Sequence, residues 1–118
     1  MGNKKMPADG SLDYIEIPAP DMKATKAFYA VFGWTFTDYG PDYVAFECAG
    51  RNGGFNAERS VVREGGPLVV LYAANLESME AKIRTAGAEI IDRHTFPGGR
   101  RIHLRDPNGN ELAIWSDA

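Results

Sequence analysis

The sequence predicts an α+β fold built from two β-α-β-β-β modules that together form a curved mixed sheet with one concave face. Three observations carry the prediction. Two amphipathic helical segments each follow a short alternating strand, opened by Asp21 or Asn75 and closed by Gly33 or Gly87. The offset between the two N-caps equals the offset between the two terminal glycines, which independent helices would have no reason to obey. Three strand-like stretches then follow each helix.

Residues 1–10, MGNKKMPADG, are basic and lack the apolar core of a secretory signal, so they read as a flexible tail. Met6 stands where an acylation signal requires Ser or Thr. LDYIEI alternates as a strand and runs into Pro18 and Pro20. Asp21 then caps a helix over Met22 to Phe32, whose Ala24, Ala27, Phe28, Val31 and Phe32 share one face. GWTFTDY, YVAFECA and GGFNAE supply the first module's remaining strands, and glycine-rich Asn52 to Pro67 reads as the linker. LVVLYAA opens the second module, and Asn75 caps Leu76 to Ala86, with Leu76, Met79, Ile83 and Ala86 on one side. Glu77 early and Lys82 and Arg84 late complement the helix dipole. AEIIDRHTF, RRIHLRD and ELAIWS complete the module, the last delivered by the turn DPNGN. The modules span about 11–58 and 66–118 within a single domain over 11–118.

Composition narrows the function. The chain has 118 residues, 44% hydrophobic and 25% charged, as in an ordinary globular protein. A net charge of −3 offers no basic field to nucleic acid or to anionic lipid, and no stretch is long enough to span a bilayer. The single cysteine, Cys48, excludes an internal disulfide and fits a reducing cytoplasm; within its apolar strand it reads as a structural thiol.

Strand alternation sorts side chains between core and hollow. Ile15, Ile17, Val69, Leu71, Ile102, Leu104, Leu112 and Ile114 should pack under the helices. Tyr14, Glu16, Leu68, Val70, Tyr72, Arg101, His103, Arg105, Glu111, Ala113 and Trp115 then face the concave side or its rim. In the first module Tyr43, Ala45 and Glu47 alternate with Val44, Phe46 and Cys48. This face is more polar than a second core, which suits a wet or ligand-filled groove.

The paired modules, "PDMKATKAFYAVFGW", "AKIRTAGAEII" and "DPNGNELAIW" together resemble the vicinal oxygen chelate superfamily, the glyoxalase, bleomycin-resistance and extradiol dioxygenase group, over about Leu12 to Trp115. The resemblance implies the glyoxalase-like fold, a homodimer and, in catalytic members, a divalent metal. That metal is held by a His or Gln on the first strand of each half and a Glu on the closing strand, so that it grips two substrate oxygens. Carried over, these positions fall on Tyr14, Leu68 and Ala113, and all three depart from the pattern. A ligand set shifted along the strands would draw on Glu16 or Glu111, with His103 or Glu47 as further donors.

The expectation is therefore a cytoplasmic, glyoxalase-like small-molecule-binding protein with no metal cofactor, whose ligand contacts Tyr14, Glu47, Leu68, Tyr72, Arg105, Ala113 and Trp115. The alternative is a lactoylglutathione-lyase-like lyase or isomerase, using a relocated divalent metal or metal-free acid-base chemistry by Glu16 and His103. Glu16, if desolvated, would serve as a base or meet a cationic group; its structural role would be pairing with Arg101 or Arg105. His94 reads as solvent-facing.

Overall fold

A computed structural model describes residues 6–118, so residues 1–5 of the expected tail lie outside the described residues. The first module comprises β1 (Ile15–Pro18), α1 (Met22–Tyr29), β2 (Thr35–Asp38), β3 (Tyr43–Cys48) and β4 (Arg51–Asn56). The second repeats that order with β5 (Val69–Tyr72), α2 (Leu76–Thr85), β6 (Glu89–Phe96), β7 (Gly99–Arg105) and β8 (Glu111–Ser116). Among the described residues no helix is long and apolar enough to cross a membrane.

Both helices begin and end as their local sequences dictate. The Asp21 carboxylate accepts the Ala24 N–H at 3.0 Å, and the Asn75 side-chain oxygen accepts the Ser78 N–H at 2.9 Å. Gly33 and Gly87 take the left-handed conformation, φ 80° and 98°, that closes a helix without a Cβ clash. The last turn before Gly33, Ala30–Phe32, tightens from α-helix to 3-10 geometry.

The strands form two four-stranded mixed sheets, ordered β1-β4-β3-β2 and β5-β8-β7-β6. The leading strand of each module runs parallel to its last strand, and the other pairs are antiparallel. GGFNAE supplies most of β4, as its reading as a strand expects, so the linker also read from Asn52 starts later and the connection between modules runs over residues 57–68. Glycine content drew the linker's start too early: Gly53 and Gly54 are strand glycines under aromatic rings rather than hinges.

One apolar cluster joins the modules: Ile17, Phe28, Tyr29, Trp34, Phe46 and Phe55 from the first pack with Leu76, Ile83, Ile102, Leu104, Leu112 and Ile114 from the second. Trp34 stacks between Tyr29 and Phe46, with ring centroids 4.9 and 4.5 Å away. Ile15 does not join them. It opens β1 at the rim and stays 45% exposed, where alternation alone put it under α1.

The turn Asp106–Asn110 locks the modules together. The buried Asp106 carboxylate accepts the backbone N–H groups of Asn108 and Asn110, each at 2.9 Å, the Asn110 amide at 3.0 Å and the Tyr29 hydroxyl at 2.7 Å. Asn108 reaches the start of α1, accepting the Asp21 N–H and donating to Thr25 Oγ1, while Asn110 donates to the Pro18 carbonyl at 2.7 Å. Burial and the Asp106 carboxylate push the Tyr29 phenol well above its ordinary value.

Two expectations follow from this clamp. Asp106→Ala strands several buried donors and is expected to cost about 3 kcal/mol or more, against about 1–2 kcal/mol for Asn108→Ala, both read from urea unfolding. Wild-type stability in Asp106→Ala would remove the clamp from the account. The folded chain holds the Tyr29 proton above the pH at which the unfolded chain releases it, near 10.0, so its contribution is intact below that pH and declines above it. Tyr29→Phe is expected to lose about 1 kcal/mol at neutral pH and to show a shallower alkaline decline, checked by unfolding curves at about pH 8 and pH 11.

Candidate functional site

On the first sheet, directly paired residues share a face, so β-ladder register assembles the site. Glu16 pairs with Gly54, Gly54 with Ala45, and Tyr43 with Asn56. Gly54 and Ala45 leave a shallow floor between larger neighbours. Over it the Tyr14 and Tyr43 hydroxyls meet at 2.6 Å. A Cβ at Gly54 would lie 2.1 Å from the Tyr43 hydroxyl and 2.4 Å from that of Tyr14, so only glycine admits this pair. Desolvation, then the hydrogen bond with Tyr14 and the nearby Glu16 carboxylate, raise the Tyr43 phenol above its ordinary range, which keeps it a neutral hydroxyl at physiological pH.

Glu16 is partly screened, its side chain one-third exposed. It accepts the Asn56 amide at 3.2 Å and faces Arg59 at 3.8 Å. Its cationic neighbour is therefore Arg59, not Arg101 or Arg105: Glu16 lies on β1 and Arg59 in the connection just after β4, whereas both other arginines sit on β7 of the second sheet.

The second sheet carries a different chemistry. His103 on β7 is buried, its side chain 9% exposed, and its Nδ1 lies 2.8 Å from Glu111 Oε2 on β8. Its Nε2 is buried with no hydrogen-bond partner. The His94 ring packs edge-to-face on it, centroids 5.1 Å apart, and His94 Nε2 is 3.1 Å from Asp92. Tyr72 and Trp115 meet edge-to-face at 5.2 Å, and the Tyr72 hydroxyl donates to Asp117.

A register break in β6 makes this grouping. Ile90 pairs with Leu104, yet Asp92 pairs with His103, so Ile91 is an extra residue in the ladder. Beyond it the faces invert, bringing Asp92 and His94 onto the His103 side. His94, read from sequence as solvent-facing, is half exposed, and what unbroken alternation misses is that it also packs on His103. The only signal in the chain is the polar run Asp92, Arg93, His94, Thr95 after two isoleucines.

The remaining expected contacts divide. Leu68 and Tyr72 are exposed, Trp115 is half-buried, and Glu47 is exposed on β3. Ala113 is fully buried, opposite His103. Arg105 donates to the carbonyls of Arg63 and Gly109, so its guanidinium braces the linker against the turn.

The positions that catalytic relatives use for a metal do not fit one. Leu68 and Ala113 have no lone pair to give, and the Tyr14 hydroxyl is engaged by Tyr43. A shifted set is also divided, with Glu16 and Glu47 on the first sheet and His103 and Glu111 on the second. Among the described residues no three His, Cys, Asp or Glu side chains converge to hold an ion.

Comparison with known proteins agrees with this architecture. The fosfomycin resistance protein FosX of Listeria monocytogenes, solved with Mn(II) and sulfate, superimposes with TM-score 0.80 at 16% identity, over 92% of this chain and 91% of its own. The lactoylglutathione lyase of Agrobacterium tumefaciens gives 0.72 at 21%, over 92% and 95%, and the bleomycin resistance determinant of transposon Tn5 gives 0.67 at 17%, over 90% and 97%. At such identities the likeness is one of fold. None of the curated proteins matches the chain in sequence. The model of the Glyoxalase/Bleomycin resistance protein/Dioxygenase superfamily matches residues 11–114, nearly the whole chain, and the protein belongs to that family.

Proposed function

We propose that this protein is a cytoplasmic small-molecule-binding member of its family, taking up a small organic ligand on the concave face with no metal at Tyr14, Leu68 and Ala113. The observation that carries this reading is the Tyr14–Tyr43 hydroxyl pair seated over Gly54 beside Glu16. Two phenol hydroxyls offer hydrogen bonds in fixed positions, Glu16 accepts from a cationic or donor-rich group, and the tyrosine rings give a flat amphipathic wall. Tyr72 and Trp115 supply a second aromatic wall from β5 and β8.

The working unit of this reading is a homodimer. Leu68, just before β5, and Val70 and Tyr72 on one face of it are 36%, 44% and 52% exposed, an apolar strip that suits a partner chain.

A second reading, a lactoylglutathione-lyase-like lyase or isomerase, draws on the His103–Glu111 contact, a base with a carboxylate behind it. Turnover of the hemithioacetal of methylglyoxal and glutathione distinguishes it from a receptor.

Purified protein screened by thermal shift against metabolites and aromatic drugs is expected to be stabilised by a subset of compounds. Gly54→Ala displaces the tyrosine hydroxyls, which end flexible side chains, and is expected to weaken those ligands about tenfold or more while leaving the unfolding temperature close to wild type. A library without a single hit, or hits untouched by Gly54→Ala, would sink the reading. Elemental analysis of the protein as purified is expected to find metal well below one equivalent; stoichiometric zinc, nickel, manganese or iron overturns the metal-free assignment.

A further inference from the structure

A buried imidazole nitrogen without a partner is costly, and such groups persist where something has yet to meet them. His103 Nε2 is the one such side-chain nitrogen or oxygen among the described residues. The other ring nitrogen faces the Glu111 carboxylate at 2.8 Å, an arrangement that fixes Nδ1 as the donor and leaves the Nε2 lone pair directed away from Glu111. The Ile91 bulge adds His94 and Asp92 on the same face. Bulges of this kind re-aim side chains, often beside active sites. Arg101 stands two residues from His103 on that face, paired across the ladders with His94 and Trp115, and among the described residues it enters no ion pair.

We propose that the Glu111–His103 pair, gathered with His94 and Arg101 by the Ile91 bulge, is a metal-independent proton-transfer site for a small carboxylic acid with a carbonyl-activated C–H, of the 2-oxo acid class. The class follows from the groups present. An imidazole takes a carbon-bound proton only where a neighbouring carbonyl acidifies it, and a planar guanidinium holds a carboxylate by paired hydrogen bonds while offsetting the charge that develops on the enolate oxygen. Because Nε2 is buried, substrate entry requires a neighbour to move, and that movement falls to the half-exposed His94 ring packed on His103.

The step balances without an oxidant or a second reactant. His103 Nε2 takes the proton from the carbon next to the keto group; the C–H electron pair becomes the C=C bond and the carbonyl π pair moves onto oxygen. The resulting imidazolium faces the Glu111 carboxylate, which steadies it. Return of a proton to carbon restores the keto acid, and in heavy water the returned nucleus is a deuteron. Glu111 is a positioning residue here, and His103 and Arg101 touch the reacting molecule.

The probe is pyruvate in heavy water, followed by loss of its methyl proton signal in NMR with the full-length protein. Deuterium is expected to enter faster with protein than in buffer alone. His103→Gln is expected to lower the protein-dependent rate about 100-fold or more. Added imidazole is expected to restore part of the rate to His103→Gly, a rescue that a structural role would not give, and Arg101→Met is expected to raise the pyruvate concentration needed for half-maximal exchange. Should His103→Gly fail to fold, His103→Gln with an unchanged unfolding temperature carries the test. Exchange at the buffer rate with wild-type protein, or equal rates in wild type and His103→Gln, overturns the proposal. Ligand shifts sensitive to Gly54→Ala survive that result, so the fate of the first-sheet site is decided separately.

Discussion

Burying a carboxylate constrains a fold more tightly than burying a hydrocarbon does, and Asp106, only 5% exposed, imposes that constraint here. An uncompensated charge at such a place costs several kcal/mol, so donors must be brought to it. Three of its donors are local, the N–H groups of Asn108 and Asn110 and the Asn110 amide, and they form as soon as the turn does. The fourth is the hydroxyl of Tyr29, on α1 of the other module. The carboxylate is thus fully satisfied only when the modules are docked.

The same five residues set the geometry of the functional faces. Asn110 donates to Pro18, the last residue of β1, and is followed at once by Glu111, the first residue of β8. The strand bearing Glu16 and the strand bearing Glu111, Ala113 and Trp115 therefore have their ends fixed by one turn. A rigid element that also spaces the candidate ligand contacts is what preorganised binding requires, because groups held in place lose little entropy when a ligand arrives.

Much of this was legible in the sequence because it is local. Helix caps and terminal glycines act within one turn of their own backbone, so Asp21, Asn75, Gly33 and Gly87 announce both helices correctly. Alternation also finds the core of β7 and β8, where Ile102, Leu104, Leu112 and Ile114 are buried, since an unbroken strand keeps its period. What escaped depends on distant pairing. Glu16 finds Asn56 and Arg59 because β1 lies parallel to β4, an order that no local pattern encodes. The bulge at Ile91 inverts the faces of β6 through a single residue, and with that His94 changes from a surface side chain to a neighbour of His103. The Tyr14–Tyr43 contact depends on the absence of a Cβ at Gly54, which the strand reading of GGFNAE does not reveal because the tyrosines come from other strands and loops.

Electrostatics gives these departures a common sense. A divalent ion would supply the positive charge against which carboxylates in a hollow are balanced. At Tyr14, Leu68 and Ala113, the positions relatives use for a metal, this chain offers no charge, and the nearby carboxylates are met by donors of the protein itself. Glu16 has Arg59 and the Asn56 amide, and Glu111 has a ring N–H of His103. Each carboxylate thereby finds donors near its own sheet, and the two halves are joined by Asp106 and Tyr29, deep in the interface between modules. The two faces differ in kind, one built of phenols over a glycine floor, the other of imidazoles backed by carboxylates.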